Sequence, residues 1–281
     1  MLPRSRRELV NAVRARSMPW LKSLKNRLAG GASSRLTVFV AGVHRSGTNM
    51  MMEILERSWE TEVFNEFDSR AFDDYVMRNE SVMHGLIDRS AAPIVVIKAL
   101  HEAHDLQQLL AAFAPAKAIW MFRSFYDVIN SSLHRWPGRG DGCRNKIDAI
   151  VRDRNSADWR GCGMTDETHR MVCEHYRPNI DDASAEALFW LYRNQLFFDQ
   201  ALDGDPRVRL ASYERIVADD GSYGASLARF LGLDFTRSMQ RVPHGESVHK
   251  HAPPEVEPEV EALCRQMQAA LESAHAVGRP R

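Results

Sequence analysis

Long apolar runs are missing from this 281-residue sequence: none approaches the roughly 20 residues that a membrane-spanning helix requires. Cysteine is scarce, at Cys143, Cys162, Cys173 and Cys264, and no secretory signal precedes them, so reduced thiols and a cytoplasmic location are expected. The first three share a region with His169 and His175, but no Cys-x-x-Cys pair is present and no metal is expected. Net charge is lacking too. The 37 basic and 37 acidic side chains cancel, which excludes a molecule-wide electrostatic binder of nucleic acid. There is no internal repeat, and an apolar content of 44% excludes wholesale disorder.

What is present is unevenly spread. Residues 1–35 hold nine Lys or Arg against Glu8 alone, leaving the remainder net acidic by eight. Leu9, Val10, Val13, Trp20, Leu21, Leu24 and Leu28 recur among those cations, the pattern of basic amphipathic helices broken at Pro19. Such helices either pack on a domain surface or meet an anionic membrane or acidic partner. Residues 36–281 read as a single α/β domain. "LTVFVAG", "TEVFNEF", "PIVVIKAL", "AKAIWMFRS" and "PRVRLASYE" are strand-like, and "EAHDLQQLLAAF", "DVINSSLHRW" and "ASAEALFWLYRNQLFFDQAL" are helical. Near-continuous apolar strands alternating with helices specify a central parallel sheet of about five strands, flanked by helices in three layers. Residues 137–181 interrupt that rhythm and are expected to lie as an insertion over the carboxyl edge, where such folds bind ligands. Arg152, Arg154, Trp159 and Arg160 of this insertion suit either an anionic or sugar-like substrate or surface ion pairs.

The stretch "VFVAGVHRSGTNMMMEIL" joins the first strand to a helix through Gly42 and Gly47. The lysine that follows the last glycine of a nucleotide-binding P-loop is absent; Thr48 and Asn49 stand there, and the nearest cation is Arg45. A Gly-rich turn entering a helix amino terminus offers N–H donors and the positive end of the helix dipole, so it suits an anion. A tight turn that binds nothing is the alternative. Strand-end carboxylates are absent as well: "VVIKAL" and "IWMFRS" end in Lys98 and Arg123. Metal-assisted phosphoryl transfer needs an Asp there, so the pattern favours moving a less charged group from a donor that carries several phosphates. Ser131, eight residues after Arg123, is spaced to share one anion with it, unless the two are a surface Arg and an ordinary helical Ser.

"GVHRSGTNMM" resembles the 5′-phosphosulfate-binding loop of sulfotransferases, in the Arg-Ser-Gly-Thr form of tyrosylprotein, bacterial and Golgi-type members. The resemblance covers Leu36 to about Leu233, apart from the insertion. It implies a P-loop-type fold and 3′-phosphoadenosine 5′-phosphosulfate as donor. Arg45, Ser46, Gly47, Thr48 and Asn49 would hold the 5′ end, and Arg123 and Ser131 match the family's 3′-phosphate pair. "ASYERIVAD" is similar to the Tyr-Glu-Asp-Leu segment and adds Tyr213, with Arg215 and Ile216 replacing Asp and Leu. "HGESVHKHAPP" resembles the late loop that covers the donor, which adds Ser247 and Lys250.

The activity implied is sulfuryl transfer to a hydroxyl or amine acceptor, whether small molecule, glycan or peptide. Arg45 and the loop amides would stabilise the leaving phosphate, and Lys98 matches a lysine that reaches the bridging oxygen. Glu66, 21 residues after Arg45, matches the catalytic glutamate of tyrosylprotein sulfotransferases; His101, three residues after Lys98, is its rival as base. Plainer places for them are a pair with Arg70 on a helix face and a helix cap. A P-loop kinase and a non-catalytic donor-binding scaffold are the other readings.

Overall fold

Seven strands are present among residues 21–28, 34–135, 141–155, 158–218, 220–242, 248 and 250–277, which the computed structural model describes. They are β1 (Leu36–Gly42), β2 (Thr61–Phe64), β3 (Phe72–Asp73), β4 (Val76–Met77), β5 (Ile94–Lys98), β6 (Ala116–Phe122) and β7 (Val208–Ser212). Five of them form one sheet in the order β2-β5-β1-β6-β7, every pair parallel. β3 and β4 form a separate antiparallel hairpin whose two turn residues, Asp74 and Tyr75, have φ of 45° and 67°. The α/β parallel architecture expected from the sequence is the one observed.

Side chains alternate across a strand, so each central strand feeds two cores. Phe39, Ala41, Val95, Ile97, Ala118, Trp120 and Phe122 enter the larger one. It is closed by α3 (Glu80–Arg89), α4 (Leu106–Ala112), α5 (Phe125–Arg135), α8 (Asp182–Asp199) and α12 (Pro258–Val277). Val38, Val40, Val96, Ile119, Met121 and Ala211 enter the other. That side is closed by α2 (Thr48–Glu56), α9 (Tyr213–Ala218), α10 (Ser222–Phe230) and α11 (Arg237–Gln240). These are the three layers. α8 is buried around nearly its whole circumference, and Asp181 caps it by accepting from the Ser184 amide.

Three local expectations are refined. "EAHDLQQLLAAF" is a 3-10 turn (His101–Asp105) running into α4 rather than one helix. The insertion is helical, with α6 (Asp141–Arg152) and α7 (Asp166–His175) joined through a short 3-10 turn at Asp158–Arg160. α6 packs on α8, so its apolar residues Ile147 and Ile150 belong to the larger core. Of the basic amino-terminal segment, residues 21–28 form a helix, α1. Lys22 donates to the carbonyls of Glu56 (2.5 Å) and Thr61 (3.2 Å), and Asn26 donates to that of Trp59 (3.1 Å). This part packs on the domain surface; the pattern at residues 9–20 and Ser247 lie outside the described residues. Among the described residues no helix is long and apolar enough to cross a membrane.

β1 and β6 approach so closely at the edge that Gly42 has no room for a side chain. A Cβ there would lie 2.3 Å from the Met121 carbonyl oxygen, and φ is +133°. Gly42→Ala is therefore expected to destabilise the protein by about 2 kcal/mol or more, seen as a lower urea midpoint with unchanged slope. A midpoint equal to wild type would show that the strands part without cost.

Candidate active site

The alternation that divides the cores continues past the strand ends. Lys98 falls on the side of Val96, Arg123 on that of Met121 and Tyr213 on that of Ala211, so all three reach the α2 face. Lys98 is 2% exposed; its Nζ donates to Asn49 Oδ1 at 2.5 Å and forms an ion pair with Glu66 Oε1. The Arg123 guanidinium lies 4.3 Å from the Tyr213 ring centroid and 3.5 Å from the Asp127 carboxylate, and it donates to the Arg45 carbonyl at 3.4 Å. The Tyr213 ring presses on Gly47, where a Cβ would come within 2.4 Å of it and where φ is +93°. Glycine is required there on both counts.

The loop between β1 and α2 holds Arg45 at φ 65°, in the left-handed region, a conformation that costs a non-glycine residue about 1–2 kcal/mol. Two contacts offset that cost: the Arg123 bond to its carbonyl, and its own Nε donating to Ser131 Oγ of α5 at 2.9 Å. α2 starts without a side-chain cap bond and without an acid in its first turn, so among the described residues no side chain claims the N–H groups of Thr48 and Asn49. Ser46 is fully buried, and its hydroxyl has no hydrogen-bond partner among the described residues. An uncapped helix start, an orphaned hydroxyl and converging cations make an anion cradle. These residues fit a phosphosulfate.

Glu66 lies in a turn beyond β2 and not on a helix, which excludes the pairing with Arg70. Arg70 is engaged by Asp68 (2.7 Å) and Glu62 (3.4 Å) instead. With Oε1 held by Lys98, the second carboxylate oxygen of Glu66 is buried and has no partner among the described residues. Burial pushes the Lys98 ammonium below the ordinary lysine range against the pull of Glu66, and Arg45 adds like-charge repulsion. His101 opens the 3-10 turn without capping it, stacked on Trp159 of the insertion at 4.0 Å and 10°. Burial, aided by Arg193 and Arg160, pushes its imidazole down to about 4, and its buried Nδ1 has no partner among the described residues. Tyr75 lies 6.4 Å from it, ring to ring, and Phe67 lies 5.5 Å from Tyr75, so an aromatic shelf borders Glu66.

Of the residues expected from the sequence, Arg45, Ser46, Gly47, Thr48, Asn49, Glu66, Lys98, Arg123, Ser131 and Tyr213 meet at this edge. Lys250 is exposed, on a stretch that runs along α5: His251 stacks on His134 at 4.0 Å, and Asn130 donates to the Ala252 carbonyl at 3.0 Å. In the insertion Arg152, Arg154 and Arg160 form ion pairs with Asp148, Asp166 and Asp158. Among the described residues no three His, Cys, Asp or Glu gather as a metal site. Sequence reasoning missed His44, Ser132, Lys146 and Glu186, which form a buried polar group beside the loop. The available signal was an acid inside "ASAEALFWLYRNQLFF", since a carboxylate on a helix that is apolar all round needs a buried partner.

No protein-family model matches the chain, and no curated protein matches its sequence. Among solved structures it is similar to the sulfotransferase domain from the curacin biosynthetic pathway, at TM-score 0.48 and 16% identity over 84% of this chain and 99% of that one. The sulfotransferase domain of the Synechococcus olefin synthase gives TM-score 0.46 and 14% identity over 89% and 97% of the two chains. A mouse sulfotransferase complexed with PAP gives 0.46 and 15% over 94% and 93%. At such identities, function rests on the chemistry of the site itself.

Burial also holds the His44 imidazole below its usual range and pushes that of His275 down to about 4, as it does His101. The unfolded chain takes up protons near pH 6.5 that the folded one refuses, so stability is full above about 6.5 and falls as pH drops toward 4. The melting temperature is expected to fall between pH 7 and pH 5, and His275→Asn to flatten that slope. A melting temperature that rises on acidification would contradict this assignment.

Proposed function

We propose that the protein is a sulfotransferase that moves a sulfuryl group from 3′-phosphoadenosine 5′-phosphosulfate to a hydroxyl or amine acceptor. The observation that carries this reading is the Arg45–Ser131 bond, which joins the loop to the helix that follows Arg123. The two anion-binding signals of the sequence, far apart in the chain, thereby become one site. A donor with phosphates at its 5′ and 3′ positions spans such a site, whereas ATP does not need the second half. Glu214, the nearest acid after β7, supports this edge structurally by accepting from the Ser124 amide (2.8 Å) and the Ser212 hydroxyl (3.0 Å). That leaves it poorly suited to the Mg²⁺ role a kinase requires.

In the proposed reaction the acceptor oxygen or nitrogen forms a bond to sulfur as the bond between sulfur and the 5′-phosphate oxygen breaks. Arg45 and the loop amides stabilise the charge on the departing phosphate, and Lys98, kept in place by Asn49 and Glu66, adds to it. The acceptor's proton passes to Glu66, whose buried second oxygen has no other claimant among the described residues. His101, held neutral at pH 7 but weakly basic, is the lesser base. The shelf of Phe67, Tyr75, His101 and Trp159 would border the acceptor, with the insertion closing that side.

Two variants test the reading. Arg123→Ala is expected to weaken adenosine 3′,5′-bisphosphate binding by more than about tenfold in calorimetry, through loss of a charge-assisted bond, and to leave adenosine 5′-phosphosulfate nearly unaffected. Equal weakening of both ligands, or wild-type preference for Mg-ATP over the bisphosphate, counts against it. Glu66→Gln keeps an acceptor for Lys98 but removes the base. Single-turnover transfer should fall by about 10²-fold or more while donor affinity holds, with His101→Ala milder. A more severe loss in His101→Ala would move the base to the imidazole.

A further inference from the structure

His44 and Arg45 are neighbours in the loop, and their side chains reach neighbouring serines of α5. Arg45 Nε donates to Ser131 Oγ at 2.9 Å, and His44 Nε2 lies 3.1 Å from Ser132 Oγ. Behind the second serine stands Glu186 of α8, which is fully buried. Its Oε1 accepts from Ser132 Oγ at 2.8 Å and bonds His44 Nε2, and its Oε2 lies 3.3 Å from Lys146 Nζ of α6. The imidazole is also packed 5.1 Å from the Phe189 ring, and Lys146 Nζ lies 4.9 Å from the centroid of the same ring.

A carboxylate out of reach of water persists only where its oxygens are hydrogen-bonded and its charge is met. Glu186, on α8, meets those conditions by drawing on three other elements: the loop, α5 and α6. The hydrogen-bond pattern assigns the His44 proton to Nε2, since a buried carboxylate faces it. Burial lowers the imidazole's proton affinity, Glu186 opposes that, and Lys146 and Arg193 reinforce it. A neutral His44 thus donates to Glu186 without adding charge to the cradle. The left-handed turn at Arg45 begins at the next residue, and such conformations persist only where the surroundings over-determine them.

We infer that His44 is a positioning residue: clasped by Ser132 and Glu186, it fixes the turn that keeps the Arg45 guanidinium on Ser131. Its target in the reaction is indirect, because it acts through Arg45 and the loop amides. The inference rests on the donor reading above for its consequence, and on the hydrogen-bonded clasp alone for its mechanism. The clasp also gives the buried acid of α8 its partners.

The test compares His44→Leu, which removes the donor, with His44→Gln, whose amide nitrogen can reach Glu186, and with Glu186→Gln. Two readouts are used: titration with adenosine 3′,5′-bisphosphate, and amide hydrogen exchange of the ligand-free proteins. His44→Leu is expected to weaken the bisphosphate by about tenfold or more, with His44→Gln within about threefold of wild type. Combining His44→Leu with Glu186→Gln should add little beyond the larger single loss, since both remove one coupled unit. Exchange at residues 43–48 should quicken in His44→Leu while residues 36–42 keep wild-type protection. Additive losses, or unchanged exchange at 43–48, overturn the clasp. Failure of wild type to bind the bisphosphate overturns the donor reading, and the exchange comparison still decides the clasp.

Discussion

Every strand of the parallel sheet ends at the same edge, and along each strand the side chains go alternately to one face or the other. That alternation fixes where Lys98, Arg123 and Tyr213 point. Each lies an even number of residues beyond a side chain of the smaller core, so each emerges over α2 beside the loop. The loop in turn exists in its observed form because β1 ends against β6 at a residue without a side chain. The cations at the edge are a consequence of sheet geometry, and their chemistry follows from being brought together.

Charge balance at this edge is local. Lys98 is neutralised by Glu66, and Arg123 is met by Asp127 and by the Tyr213 ring. Such pairing lowers the cost of holding buried cations before an anion arrives. It also means that the ligand must outcompete carboxylates already present, which selects for a densely charged anion. The 3′,5′-bisphosphorylated donor proposed above would meet that demand, with the Arg45–Ser131 bond joining the two halves of the edge.

α8 reconciles a helix buried on nearly all sides with polar chemistry at its core. Glu186, Arg193 and Asn194 face inward from it, at 0%, 2% and 0% exposure, and each ties α8 to a different element. Glu186 reaches the loop and α5; Arg193 donates to the Leu100 carbonyl at 2.8 Å; Asn194 Oδ1 lies 3.5 Å from the Trp120 indole nitrogen. A buried polar group left without partners would cost more than it contributes, so these contacts fix one orientation of the helix. The insertion then follows α8, since α6 packs on it and carries Lys146 to Glu186.

The strands, the loop and most of the residues that meet at the sheet edge were legible in the sequence because each depends on local chemistry. Apolar runs of five to seven residues make buried strands whatever surrounds them, as β1, β5, β6 and β7 show. Gly42, Arg45 and Gly47 announce a loop through backbone freedom and charge alone. Arg123 and Ser131 were expected from spacing and family likeness to share one anion; in the fold Ser131 accepts from Arg45, and Arg123 meets Asp127 and the Tyr213 ring. What the sequence left open depends on contacts between distant segments. The sequence offered Glu66 a pair with Arg70, and the fold gives it Lys98 because β2 lies beside β5 in the sheet. His101 was spaced to cap a helix, yet the insertion lays Trp159 on it and burial weakens its basicity. His44 and Glu186 are 142 residues apart, and no local pattern links them. Sequence by itself determined which residues form the strands and the loop, because propensity and periodicity act over a few neighbours. The tertiary structure alone decided which charges are paired and which nitrogen is neutral, because burial and Coulomb interactions act through space.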